Sequence, residues 1–158
     1  MAQALSSFPE MDPVEAAIRD AEDGRFEGAA PVLSAAIAGT TRLHSYHDLS
    51  AAFSFYGLCV ANLHGDFKRA TEYCEHAIRL EPDVGRYYVN LAKVFVRAGN
   101  RRKALAVLDK GLRRLPGDPA IDGFRQSFGY RRRAVLPFLR RRHPLNRFLG
   151  RLRYRIFS

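Results

Sequence analysis

Apolar positions recur along this chain at three- and four-residue intervals, in blocks punctuated by glycine and proline. Such spacing gathers the apolar side chains of a block on one face of an α-helix. Val14, Ala17, Ile18 and Ala21 form the first stripe, which opens at Asp12-Pro13, an N-cap followed by proline at the first helical position. A second stripe, Ala29, Val32, Leu33, Ala36 and Ile37, lies between Gly24 and Gly39. Pro31 is placed near the start of that helix, where a missing amide donor costs little. Leu49–His64 predicts a third helix, and Phe67–Leu80 its partner, stopped by Glu81-Pro82-Asp83. Tyr87–Ala98 and Arg101–Leu115 predict another pair, with Gly99-Asn100 as the turn and Pro116-Gly117-Asp118-Pro119 as the exit. Ala120–Phe128 predicts a short terminal helix. Gly39–Asp48, with threonine, serine and two histidines, reads as a connector, and residues 1–9 show no periodicity and are expected to fray.

The last two pairs are copies. Gly65–Pro82 and Gly99–Pro116 share one skeleton 34 residues apart: Gly65 with Gly99, Ala70 with Ala104, Cys74 with Leu108, Ile78 with Leu112, Pro82 with Pro116. Gly24, Ala29, Leu33 and Ile37 repeat the spacing more weakly, 41 residues before Gly65, so the connector holds 7 extra residues. A fixed period in this range marks stacked units, none of which buries its apolar face alone. Alanines at 70, 77, 92 and 104 allow close helix approach, and Gly65 and Gly99 permit a left-handed cap. The units run over about residues 10–39, 48–82 and 85–116, with a capping helix at 119–128 and a tail at 129–158.

These residues resemble the tetratricopeptide repeat family. Leu91-Ala92, Phe95, Gly99, Ala104, Leu108, Leu112 and Pro116 carry the resemblance in one unit. Gly65, Asp66, Phe67, Ala70, Tyr73, Ala77, Leu80 and Pro82 carry it in the unit before. The resemblance implies an all-α fold: a right-handed superhelix of about three helix pairs whose concave face holds peptides of partner proteins. It implies a non-enzymatic scaffold or adaptor. Two departures are visible: Gly57 falls one residue before the expected small position, leaving Leu58 there, and Gly111 replaces the usual alanine.

Charge changes the picture only once it is located. The net charge is +10, yet residues 1–123 hold 15 Lys plus Arg against 16 Asp plus Glu. Residues 124–158 hold 11 Arg, no Lys and no acid. The body is neutral and the tail is basic. Cys59 and Cys74 lie inside apolar helical patterns and read as buried, reduced thiols. The N-terminus has no basic region leading into an apolar core, and no run approaches the roughly 20 apolar residues of a membrane span. A cytoplasmic protein is expected, peripheral at the inner membrane surface if the tail meets lipid.

Family resemblance places the groove on the first helix of each pair. Arg86, Asn90, Lys93 and Arg97 share one helical face there, a row fit to hold an acidic or carboxylate-bearing peptide, or else simply the solvated side of the helix. One unit earlier the corresponding positions are Ala52, Tyr56, Cys59 and Leu63, mostly apolar. The dicarboxylate clamp of chaperone-binding family members is therefore not evident. His44, His47 and Asp48 lack a further ligand at metal distance, so no metal is expected. No phosphate loop, nucleophile elbow or converging carboxylate pair is present, and neither an enzyme nor a cofactor is expected.

In the tail, Arg131, Arg132, Arg133 and Arg140, Arg141, Arg142 flank the apolar run Ala134–Leu139. After His143-Pro144, an apolar stripe containing Phe148, Leu149 and Leu152 runs beside the row Arg147, Arg151, Arg155. An anionic membrane surface suits such an amphipathic, arginine-rich segment. Docking on an acidic protein, or back along the repeats, suits it equally. A nucleic-acid-associated accessory role is the alternative, although absent lysine and abundant aliphatics argue against a solvated basic arm. A tail buried in an obligate complex, or one with no role of its own, also remains open.

Overall fold

The computed structural model describes residues 12–39 and 46–128. Seven helices run through them: α1 (Pro13–Glu22), α2 (Phe26–Ile37), α3 (Tyr46–Leu63), α4 (Phe67–Leu80), α5 (Gly85–Arg97), α6 (Arg101–Arg114) and α7 (Pro119–Ser127). Their starts follow from capping chemistry. Asp12 Oδ1 accepts the Val14 amide at 2.9 Å, Asp66 Oδ1 the Arg69 amide at 3.0 Å, and Asn100 Oδ1 the Lys103 amide at 3.1 Å. Each fills a donor that a first helical turn leaves open. Gly65 and Gly99 take φ of 66° and 72°, the left-handed conformation that turns α3 into α4 and α5 into α6.

Helices pair in chain order, while α1, α3, α5 and α7 also touch in succession. Among the described residues α2, α4 and α6 make no close backbone contact with one another, so they form an outer layer over the inner four. Alanine decides the spacing: Ala29, Ala36, Ala52, Ala70, Ala77, Ala92 and Ala104 all have 0% exposure. Val14, Leu33 and Phe55 fill the core of the first three helices. The two departures from the family pattern are contact points. A Cβ at Gly57 would meet Cys74 Sγ at 2.6 Å, and one at Gly111 would meet Ile121 Cδ1 at 2.8 Å and Tyr88 Cγ at 2.9 Å. Gly57 lets α3 close on α4, and Gly111 lets α6 receive both α5 and α7.

Two expectations need correction. Pro31 lies in the interior of α2, beyond the first turn, so it does remove one intrahelical hydrogen bond; Ser34 Oγ donates to its carbonyl at 2.9 Å. Helix α3 begins at Tyr46, which puts His47 and Asp48 on its first turn and not in a connector. Cys59 and Cys74 carry free, buried thiols. Burial pushes Cys59 up to about 12, and Cys74 also upward. No helix among the described residues is long and apolar enough to cross a membrane. Residues 1–127 make one compact unit; of the second, 128–158, only Phe128 is among the described residues.

Candidate functional site

The inner helices α1, α3, α5 and α7 line a concave face with two compartments. At the C-terminal ends of α1, α3 and α5 lies a cleft of about 380 Å³. Phe26, Leu58, Val96 and Phe124 supply its apolar surface, Lys93 and Arg97 its cations, and Glu22 its acid. Val96, at 44% exposure, is the one large hydrophobic residue counted as exposed among those described. Toward the helix N-termini the hollow is larger, about 890 Å³, and its rim carries Asp12, Glu15, Asp48, Asp83 and Asp118. Carboxylates at helix starts and cations at helix ends complement the helix dipoles.

Where the compartments meet, Arg86 Nη1 lies 2.5 Å from Glu22 Oε1. Helices α1 and α5 have no close backbone contact; both lie against α3. The ion pair therefore spans α3 and joins the first helix pair to the third. Lys93 stands beside it. Burial holds the Lys93 ammonium below the usual lysine range, with Glu22 pulling it up and Arg86 pushing it down. Arg97 donates from Nε to the Ala61 carbonyl and from Nη2 to the Asn62 carbonyl, both at 3.2 Å, satisfying acceptors that the end of α3 leaves open.

The proposed row on α5 is thus split. Arg86, Lys93 and Arg97 reach the concave face, but Asn90 does not. It is 1% exposed, and its Nδ2 donates to Ser54 Oγ at 3.1 Å between α5 and α3. Tyr56 and Cys59 are also displaced from the groove. The Tyr56 ring meets Tyr73 of α4 edge-on, with centroids 5.0 Å apart, and Cys59 is sealed in the core of the first three helices. Flanked by α1, α2, α4 and α5, helix α3 turns Ala51, Phe55, Leu58 and Asn62 toward the two compartments, the first three of them buried. The tail candidates Arg131–Arg133, Arg140–Arg142, Arg147, Phe148, Leu149, Arg151, Leu152 and Arg155 lie outside the described residues.

Glu22, Phe26 and Phe124 were not anticipated as groove residues. Each sits in its own amphipathic helix without any local mark of the neighbour it faces.

A second polar cluster holds the link between α4 and α5. Glu81 Oε2 lies 2.7 Å from His47 Nδ1, accepts from Tyr87 OH at 3.2 Å, and accepts from the buried Ser50 hydroxyl. Burial pushes the Glu81 carboxyl up, but bonds from Ser50, His47 and Tyr87 outweigh it and hold the group below its ordinary value. Ser50 is wholly buried, so the cluster offers no reachable nucleophile. No group of three or more potential metal ligands occurs among the described residues. On the outer side, a hollow of about 980 Å³ runs along α4 and α6 with α5 as its floor. Phe67, Ile78, Phe95 and Val107 give it apolar surface, Lys68, Lys103 and Lys110 its cations, and Lys103 Nζ lies 5.6 Å from the Phe95 ring centroid.

A family model described as the tetratricopeptide repeat matches residues 61–127, from the end of α3 through α7. Over that stretch the chain resembles tetratricopeptide repeats. It is similar to a mitochondrial pentatricopeptide repeat-containing protein of Arabidopsis thaliana, 38% identical over 69 residues that make up 41% of this chain and 7% of the plant protein. Among solved structures it is similar to the Hsp90 co-chaperone Cns1 from Saccharomyces cerevisiae, with a TM-score of 0.55 and 15% identity over 93% of this chain and 43% of that one. The latter likeness concerns the fold alone. The chain spans less than half the length of either relative.

Proposed function

We propose that this protein is a non-enzymatic interaction scaffold whose concave face holds an extended, acidic segment of a partner protein. One observation carries the reading: exposed Val96 and half-buried Lys93 share a single open cleft with Phe26, Phe124 and Arg97. A partner carboxylate reaching Lys93 gains a charge-assisted bond to an ammonium that burial has already partly dehydrated. Apolar side chains beside that carboxylate gain Val96 and Phe124. The acid-rimmed compartment at the other end repels the same carboxylate, which gives the segment a direction along the groove.

The experiment is a peptide array probed with the wild-type chain, Lys93→Glu and Val96→Asp. Acidic peptides containing leucine or phenylalanine should be captured by the wild type and lost by both variants, with the helical spectrum unchanged. Capture of the same peptides by all three would remove the cleft from the reading.

For the tail, the supporting feature is composition: 11 arginines and no acid from residue 124 onward. The proposal is a second contact, to an anionic membrane surface or an acidic protein, which raises the effective concentration of a weakly held partner. A cytoplasmic location at the inner membrane surface follows from the first form. Sedimentation with anionic vesicles should retain the full chain and release one lacking residues 130–158. Equal retention of both forms would dismiss a tail anchor. A steep salt slope in nucleic-acid filter binding would favour the alternative, a nucleic-acid accessory role.

A further inference from the structure

Building on the reading of the concave face as a partner site, we propose that Glu22 is an internal stand-in for the partner's carboxylate. It occupies Arg86 in the unbound chain, and an acidic side chain of the partner exchanges with it. The exchange frees the first helix pair from the third.

The placement of the two residues is the first argument. Along the inner helices, Glu15, Asp48 and Asp122 lie in first turns, and Arg19, Arg97 and Arg125 lie in last turns. Those positions favour their helices, because a helix N-terminus attracts negative charge and a C-terminus positive charge. Glu22 and Arg86 are reversed, as is Asp20, which Arg25 pairs just beyond the helix. Glu22 is the last residue of α1, and Arg86 is the second of α5. Each opposes the dipole of its own helix, so local stability does not explain either. Their pairing does.

The second argument is position. The pair joins two helices that have no close backbone contact, over the strip of α3 that floors the groove. A segment lying along the whole face has to pass it. Glu22 is also the acid that acts on Lys93, so one carboxylate serves two cations. A partner's carboxylate entering there leaves neither cation unpaired.

Magnitude is the third. The two side chains keep 56% and 36% exposure, and pairs as open as this shift an equilibrium only about twofold to fivefold. The contact holds the groove without sealing it, and binding of a partner suffices to displace it.

The test uses a fluorescein-labelled octapeptide of alternating glutamate and leucine, with the wild-type chain, Glu22→Gln and Arg86→Gln. Glu22→Gln should bind about twofold to fivefold more tightly than wild type at low salt, and Arg86→Gln more weakly. Equal or weaker binding by Glu22→Gln overturns the exchange while leaving the groove reading in place. If neither wild type nor Glu22→Gln binds, the groove reading falls and the exchange falls with it. A second measurement needs no peptide: spin labels on cysteines placed at Arg19 in α1 and Arg113 in α6. Buried Cys59 and Cys74 do not compete for the label. Glu22→Gln should lengthen or broaden the distance distribution, and an unchanged distribution overturns the proposal.

Discussion

Gly57 on α3 lies so near Cys74 on α4 that a Cβ at position 57 would stand 2.6 Å from the sulfur and 2.8 Å from the Ala70 carbonyl oxygen. A side-chain tip can swing aside; a carbonyl inside α4 cannot. Gly57→Ala gains up to about 1 kcal/mol of helix propensity but forces overpacking that costs about 1–3 kcal/mol. The net change should be a loss, read as a lower urea midpoint. Gly123 on α7 has nothing within 4 Å of a built Cβ, so Gly123→Ala should raise the midpoint instead.

Asn90 holds α5 to α3 through Ser54, with both side chains buried. Asn90→Ala should lower stability by about 1–3 kcal/mol, since the Ser54 hydroxyl is left without that donor. The same substitution should leave affinity for acidic peptides unchanged. A variant of full stability that loses peptide binding would return Asn90 to the groove.

Glu81 supplies a pH dependence whose sign follows from its lowered pKa. The folded state prefers the carboxylate, so the stabilisation is complete above the ordinary value of 4.5 and is lost as pH falls through the lower folded value. Urea midpoints should therefore drop as the solution is taken below about pH 4.5. Glu81→Gln should be less stable than wild type at pH 7 by about 1–3 kcal/mol and should show a shallower acid slope. Parallel profiles for the two chains would place the acid sensitivity elsewhere.

Both thiols should resist alkylation. With Cys59 pushed to about 12 and Cys74 fully buried, little thiolate exists at pH 8 and neither sulfur is accessible. Iodoacetamide should modify neither residue in buffer and both in urea, read by intact mass. Rapid labelling of the native chain would show that α3 and α4 open locally.

The helix pairs were legible because their signals are local. Gly65 and Gly99 announce their turns, and Asp66 and Asn100 cap the helices that follow, all on the 34-residue period. Asn90 was misread for a related reason: a polar residue in step with Arg86, Lys93 and Arg97 looks solvated, and only the partner Ser54, 36 residues away, shows otherwise. The register of α5 does not carry over to α3 at Tyr56 and Cys59, where the ring meets Tyr73 of α4 and the thiol enters the core of the first three helices. Glu22 and Arg86 lie 64 residues apart in helices that never touch through their backbones, so no spacing rule reaches them.

Helix α7 has a consequence for how such an array could grow. It lies against α5 and α6 as the opening helix of another unit would, inserts Ile121 against Gly111, and ties Arg125 to Asp109 at 3.0 Å. Yet Ile121 is its one buried residue, while Ala120, Gly123, Arg125, Gln126 and Ser127 stand open. Adding a repeat at α7 by duplication therefore calls for a helix that is apolar on both flanks in its place.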